Sequence, residues 1–359
     1  MNFLQRRAAC AAALADQGVD ALIVSNLTNV RYLTGMVSSS AKLLIHATGR
    51  SVLMTDFRYR EQAALAASAD DIEAAIVDST RQSRELVDIA AGAKRLGLES
   101  EHVTWSAQRA LCELAGDGVE VVPTTGLVEL LRTVKEPEEV ALIERAAHIT
   151  DQALEQVLDM LTNRPTERQF RTALDRAMID LGADDLSFAT IIASGPNAAR
   201  PHHSPENRVI EAGDLVVVDC GSLVDGYHSD MTRTFCVGEP DAQAAAMLEL
   251  ATEAHAAGMA AVRPGVTGEQ IDAAARAVIV DAGRGDEFAH GVGHGVGLDI
   301  HEVPFLRGSD MVLQVGQVVT VEPGVYRSGV GGARVEDTVV VTEDGCRPLT
   351  AFANNPIVG

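Results

Sequence analysis

Apolar residues in the first third of the chain fall into short runs of three or four, separated by stretches with helical spacing. Residues 21–24, 43–45, 52–54, 75–77, 95–98 and 119–122 read as strands, and 4–17, 61–67, 84–91 and 106–114 as helices. Such alternation predicts an α/β domain, with helices around a mixed sheet. The pattern changes between residues 130 and 137, where one helical run ends and another begins. Pro137 suits a first helical turn, with Glu136, Glu138 and Glu139 favourable against the helix dipole there. Two domains follow, over residues 1–130 and 131–359. In the second, helical spacing returns at 140–161, 166–181, 242–262 and 268–282, and strands are predicted at 190–193 and 215–218.

Composition narrows the possibilities. A hydrophobic fraction of 47% with 22% charged residues describes a folded globular chain. A net charge of −22 disfavours nucleic acid or anionic lipid as the main partner, because both require basic patches. No uninterrupted apolar run approaches the roughly 20 residues of a membrane helix. Arg6-Arg7 followed by an alanine-rich run could open a signal peptide, but the run ends at Asp16 and leads into a strand, so an N-terminal helix is expected. Cys10, Cys112, Cys220, Cys236 and Cys346 are scattered without a CxxC, which suits a reducing cytoplasm better than a disulfide framework. The glycines at 97, 116 and 118 lack the spacing of a nucleotide-binding loop.

Candidate chemistry gathers after residue 200. Leu215-Val216-Val217-Val218 is a buried strand that ends on Asp219, a residue costly to bury without a cation or a donor. Asp230 follows eleven residues later, with Asp225-Gly226 as a turn signal between them. The two positions are symmetric about Val224 and Asp225. A hairpin folded there opposes the two carboxylates, with β-carbons roughly 4.5–5.5 Å apart. The device recurs: Glu322 ends an apolar run, Glu336 follows Ala333-Arg334-Val335, and their midpoint is Gly329. Paired carboxylates repel, so each hairpin calls for positive charge.

Between the hairpins, glycines at 291, 293, 295 and 297 make a helix improbable and leave His290 and His294 facing one way in extended chain. Four carboxylates and one imidazole form a hard, oxygen-rich site for two divalent ions. Manganese or cobalt suits it better than a thiolate-selected metal, and zinc is compatible. Such a pair of ions activates water and stabilises a tetrahedral intermediate. The bland readings stand for His46 and His228 as non-catalytic histidines, Cys220 as a small buried hydrophobe, and Trp105 as packing.

The runs from Gly213 to Asp219, Gly226 to Thr234, His290 to Leu298, Val321 to Gly324 and Arg334 to Asp337 resemble the pita-bread metallopeptidases, in particular the Xaa-Pro aminopeptidase and prolidase group. The likeness covers roughly residues 137–359, and the N-terminal part resembles that group's creatinase-type domain. It implies an α+β protein: a C-terminal pita-bread fold, in which helices cover a pseudo-symmetric antiparallel sheet, preceded by an α/β creatinase-type domain. It also implies that Asp219 chelates one metal, His294 and Glu322 the other, and that Asp230 and Glu336 bridge both. Glu322 would also handle the proton of the attacking water. By the same resemblance His202 contacts the scissile amide and His301 polarises its carbonyl, while His290, lining a proline pocket, and Arg334, beside the last ligand, are expected to bind substrate. The partners implied are proline-containing peptides and a second copy of the chain, as a homodimer.

Release of the residue ahead of proline (Xaa-Pro aminopeptidase) is the expected activity, with Xaa-Pro dipeptidase as the alternative. Many dipeptidases of the group grip the substrate's terminal carboxylate with an arginine four residues after the polarising histidine. That position is Phe305, and Arg307 is out of step. A metal-free creatinase-like hydrolase or a non-catalytic peptide-binding module would be expected to have lost ligands, and all five are present.

Overall fold

A computed structural model describes residues 1–70, 72–354 and 356–359. The chain divides into two compact units, Met1–Arg132 and Thr133–Gly359. The first carries α1 (Phe3–Asp16), β1 (Ala21–Val24), α2 (Leu27–Thr34), β2 (Lys42–His46), β3 (Ser51–Thr55), α3 (Arg60–Asp70), β4 (Glu73–Ile76), α4 (Gln82–Ile89), β5 (Arg95–Glu99), α5 (Trp105–Ala115), β6 (Glu120–Thr124) and α6 (Leu127–Arg132). Its six strands form one mixed sheet in the order β4-β3-β2-β1-β5-β6. Pro123 sits in β6, an edge strand, where its missing N–H costs no internal ladder bond. Ala21, Ile23, Leu44, Met54, Leu86 and Leu98 build the core of one face. Sequence periodicity does not predict α2: its eight residues are too short to show a face, and Asn26 starts it by accepting from the Thr28 N–H.

The second unit opens with α7 (Pro137–Val157) and α8 (Glu167–Asp180). Pro137 does occupy the first turn of α7, and the Glu139 side chain accepts from the Glu136 N–H. Thr166 and Gln169 form a reciprocal capping box on α8. Short β7 (Asp185–Leu186) and β8 (Ile191–Ser194) precede β9 (Leu215–Cys220), β10 (Ser222–Val224), β11 (Tyr227–His228) and β12 (Met231–Val237). Next come α9 (Ala242–Ala261), α10 (Gly268–Asp281), β13 (Val318–Val321), β14 (Gly324–Arg327), β15 (Gly331–Arg334), β16 (Asp337–Val341), β17 (Cys346–Pro348) and β18 (Ile357–Val358).

Two similar layers result. Helices α7 and α8 bury Leu154, Phe170 and Leu174 against Val216 and Val218 of β9 and Phe235 of β12. Helices α9 and α10 bury Leu248, Ala254 and Ile271 against Val319, Val321 and Val335. Each helix pair backs one of the two acidic hairpins, whose other faces remain free to line a cavity. Among the described residues no helix is long and apolar enough to cross a membrane.

Candidate metal centre

The second hairpin has the register expected from its sequence. In the ladder of β13 with β16, Val321 pairs with Asp337; in that of β14 with β15, Gly324 pairs with Arg334. Glu322 and Glu336 lie at the break between these ladders, opposite one another. In the first hairpin the pairing is shifted by two residues from expectation. Its turn is Asp225-Gly226, with φ of 47° and 74°, the two left-handed residues that a tight type I′ turn requires. Val224 therefore pairs with Tyr227, and Asp219 opposes Thr232. Asp230 is not directly across from Asp219 but two residues along, on the same face and in diagonal reach. The turn sets the register, and the midpoint of two acidic residues is a poor substitute for it.

A cavity of about 560 Å³ lies between the hairpins. Its walls include His202, Asp219, Asp230, His290, His294, His301, Glu322, Arg334 and Glu336. Asp230, His294 and Glu336 are buried and offer ligand atoms all within 4.8 Å of one another. His294 Nε2 is 3.5 Å from Glu322 Oε1 and 3.7 Å from Asp230 Oδ2. His294 Nδ1 is 3.0 Å from the Gly295 carbonyl, which can only accept, so Nδ1 carries the proton and Nε2 faces the carboxylates with its lone pair. The loop bearing His294 runs against β13, with the His294 N–H donating to Thr320 Oγ1 at 3.1 Å. Gly293 makes this approach possible: a β-carbon there would lie 2.0 Å from the Thr320 carbonyl oxygen.

The electrostatics suit a bound cation. Burial, and then the neighbouring carboxylates, raise Asp230 and Glu336 well above the ordinary carboxylate range. Burial is also the main reason Glu322 is pushed up to about 7. Asp219 Oδ1 is buried and has no hydrogen-bond partner. A buried orphan oxygen facing three more carboxylates and an imidazole lone pair fits divalent metal.

Arg334 is 3% exposed and bonded to protein groups. It donates to Asp219 Oδ2 at 2.5 Å, Thr232 Oγ1 at 3.0 Å and Tyr326 Oη at 2.8 Å. Thr232 Oγ1 in turn donates to Glu336 Oε2 at 2.6 Å. Arg334 thus braces the side chains of two candidate ligands, Asp219 directly and Glu336 through Thr232, where the sequence leads one to expect a substrate-binding arginine. Tyr326, which sequence reasoning missed, links it to His290, whose Nε2 lies 3.0 Å from the phenol. His290 Nδ1 donates to the Gly291 carbonyl at 2.8 Å, and burial, then Arg334, lowers the ring to about 4. The ring is neutral and packs edge-on to Phe288, an apolar wall rather than an acid.

His301 and His202 are exposed to the cavity. The His301 ring meets the His294 ring edge-on at 4.4 Å, and burial lowers its basicity. Its neighbour Glu302 accepts from Lys135 Nζ at 2.6 Å, both side chains being at most 5% exposed. Arg307, set aside in the sequence, lines the same cavity.

Residues 141–343 match the model of metallopeptidase family M24, and residues 6–134 that of the creatinase/prolidase N-terminal domain. The chain belongs to metallopeptidase family M24. It is 33% identical over 334 residues to an Xaa-Pro dipeptidase of Pyrococcus horikoshii, covering 92% of this chain and 93% of the relative. The structure of an Xaa-Pro dipeptidase from Bacillus anthracis superposes with a TM-score of 0.94 at 36% identity, over the whole of both chains. That of an X-Pro aminopeptidase from Thermotoga maritima gives 0.86 at 31% identity, over 95% of this chain and 97% of the other. The fold is α+β, a pita-bread domain that follows a creatinase-type domain in the chain, and the protein is a peptidase of the hydrolase class.

Proposed function

We propose that this M24 peptidase is an Xaa-Pro dipeptidase, which cleaves a free Xaa-Pro pair into its two amino acids. This reverses the order expected from Phe305. The observation that carries it is Arg307 on the cavity wall. Its Nη1 donates to the carbonyls of Ala289 at 2.8 Å and His290 at 3.2 Å, which leaves the rest of the guanidinium for a ligand. An arginine fork suits a substrate's terminal carboxylate. The position four residues past His301 lacks the cation, and the chain supplies one two residues later. The names of the dipeptidase relatives support the same reading.

Asp219, Asp230, His294, Glu322 and Glu336 would hold two divalent ions, manganese or cobalt suiting the donors and zinc remaining compatible. When bound, such ions supply Lewis-acid chemistry, activating water and polarising a carbonyl. The remaining steps fall to the chain itself. Glu322 takes the proton of the attacking water, and His301 donates to the carbonyl oxygen as charge develops there. His202 assists the departing imino nitrogen. The neutral, apolar ring of His290 lines the pocket for the pyrrolidine. Proline removes the amide N–H that strand-like substrate binding would use, and none of these contacts needs it. A homodimer in the cytoplasm completes the proposal, and sizing the purified protein in solution tests the dimer.

Hydrolysis of Leu-Pro against Leu-Pro-Gly by metal-loaded protein tests the assignment. Cleavage of the dipeptide alone, or at least tenfold faster, is expected. Faster cleavage of the tripeptide would restore the aminopeptidase reading.

A further inference from the structure

His202 is carried by a loop that contributes no other side chain to the chemistry above. Something must fix it, because a misplacement of about 1 Å in a catalytic group can cost on the order of a hundredfold in rate. The loop leaves β8 at Ser194 and runs through one 3₁₀ turn at Gly195–Ala199 to His202, His203 and Glu206. Behind it lies Glu167, the first residue of α8, with 0% of its surface exposed.

Glu167 is saturated by this loop. Its Oε1 accepts from the Ser194 N–H at 2.8 Å, the Ser194 hydroxyl at 2.7 Å and Asn197 Nδ2 at 3.0 Å. Its Oε2 accepts from His203 Nε2 at 2.8 Å and the Glu206 N–H at 3.0 Å. Five donors drawn from both sides of residue 202 meet on one carboxylate. Adjacent histidines therefore have opposite fates. His203 is 4% exposed and turned inward to Glu167, while His202 is left facing the cavity. Ser194 Oγ is also held by Arg208 at 2.7 Å, and Arg208 is paired with Asp214 at 2.5 Å, so the anchor is itself braced.

We infer that Glu167, through His203 and the Ser194–Glu206 loop, is the positioning residue that sets His202 against the scissile bond. The inference rests on the role proposed above for His202. The alternative is that Glu167 serves only the stability of the unit. The two differ in whether the effect of losing Glu167 depends on His202. In Glu167→Gln the amide retains the shape and three of the acceptor contacts, but its NH₂ meets the Glu206 N–H, donor against donor.

The test is a double-mutant cycle on Leu-Pro hydrolysis with metal-loaded E167Q, H202A and E167Q/H202A. The expected result is that E167Q lowers kcat about ten- to a hundredfold with KM and bound metal near parental values. In the H202A background the same change should cost less than about twofold, the mark of one residue acting through the other. An equal loss in both backgrounds overturns the inference, and so does parental kcat in E167Q. H202A at parental turnover would overturn the role of His202 itself, and the inference with it, an outcome distinct from the other two. Should E167Q fail to fold, H203L and H203Q give the same comparison. H203Q, which keeps a donor toward Glu167, should retain more activity than H203L, and equal activity in the two variants overturns the inference.

Discussion

Replacing Arg307 with methionine removes the cation that the dipeptidase reading requires while keeping an unbranched apolar stem. A charge-assisted hydrogen bond contributes about 1.5–3 kcal/mol. Arg307 is solvent-exposed at the cavity mouth, so screening puts its contact with a substrate carboxylate at the lower end. About 1.5 kcal/mol corresponds to roughly tenfold in kcat/KM. Arg307 also braces the carbonyls of Ala289 and His290, and a loss there would disturb every substrate alike. The His290 carbonyl keeps a second donor in Arg276 Nη2 at 2.7 Å, which limits that effect. The assay is therefore a comparison of Leu-Pro with Leu-Pro-amide, which differ only in the terminal charge. R307M should lose about tenfold on the free acid and less than threefold on the amide, and R307K should recover part of the difference. Equal losses on acid and amide would show that Arg307 braces the loop without reading the carboxylate.

Other outcomes follow from the same geometry. Asp230→Asn and Glu336→Gln should abolish metal loading and activity while leaving the circular dichroism spectrum near that of the parent, checked by metal analysis after dialysis. Gly293→Ala forces a β-carbon into the Thr320 carbonyl, so it should cost about 1–3 kcal/mol of stability and at least tenfold in metal affinity, read by thermal melts and metal titration. His301→Ala should lower kcat about a hundredfold or more at unchanged metal content, since removing one such donor typically costs that much; parental turnover would sink its role. Burial alone would raise the Glu167 carboxyl, but the Glu206 N–H, His203, Asn197 and Ser194 together lower it. A carboxyl lowered by folding contributes stability above its unfolded value, about 4.3, and that contribution is lost as pH falls through the folded value. Glu167→Gln should therefore flatten the loss of stability on acidification, measured as melting temperature between pH 3 and pH 7.

How far the sequence carried the site depended on whether a signal was local. Glu322 and Glu336 straddle a glycine-rich turn, and the ladders on either side share one register, so their opposition could be read directly. Asp219 and Asp230 were placed on one face but two residues out of register, because Asp225-Gly226 sets the turn and the carboxylates do not. The partners of these residues were illegible. Arg334 reaches Asp219 across 115 positions, Thr232 reaches Glu336 across 104, and Lys135 reaches Glu302 across 167. No periodicity or spacing encodes contacts of that span. Tyr326 was missed for a different reason: one tyrosine in a short β-strand reads as packing until the groups at its hydroxyl are known. Of the adjacent histidines at 202 and 203, the eleven-residue distance to Gly213 favours His202, and the structure supplies the physical reason: Glu167 behind the loop turns His203 inward.

Two divalent ions held by five residues are the centre of the proposed mechanism. Metal-free protein titrated with manganese, with bound ions per chain and Leu-Pro hydrolysis read on the same samples, measures this. Two ions per chain are predicted, with activity absent from the metal-free protein and maximal at full loading. Full activity without bound metal, or saturation at a single ion per chain, would contradict the account.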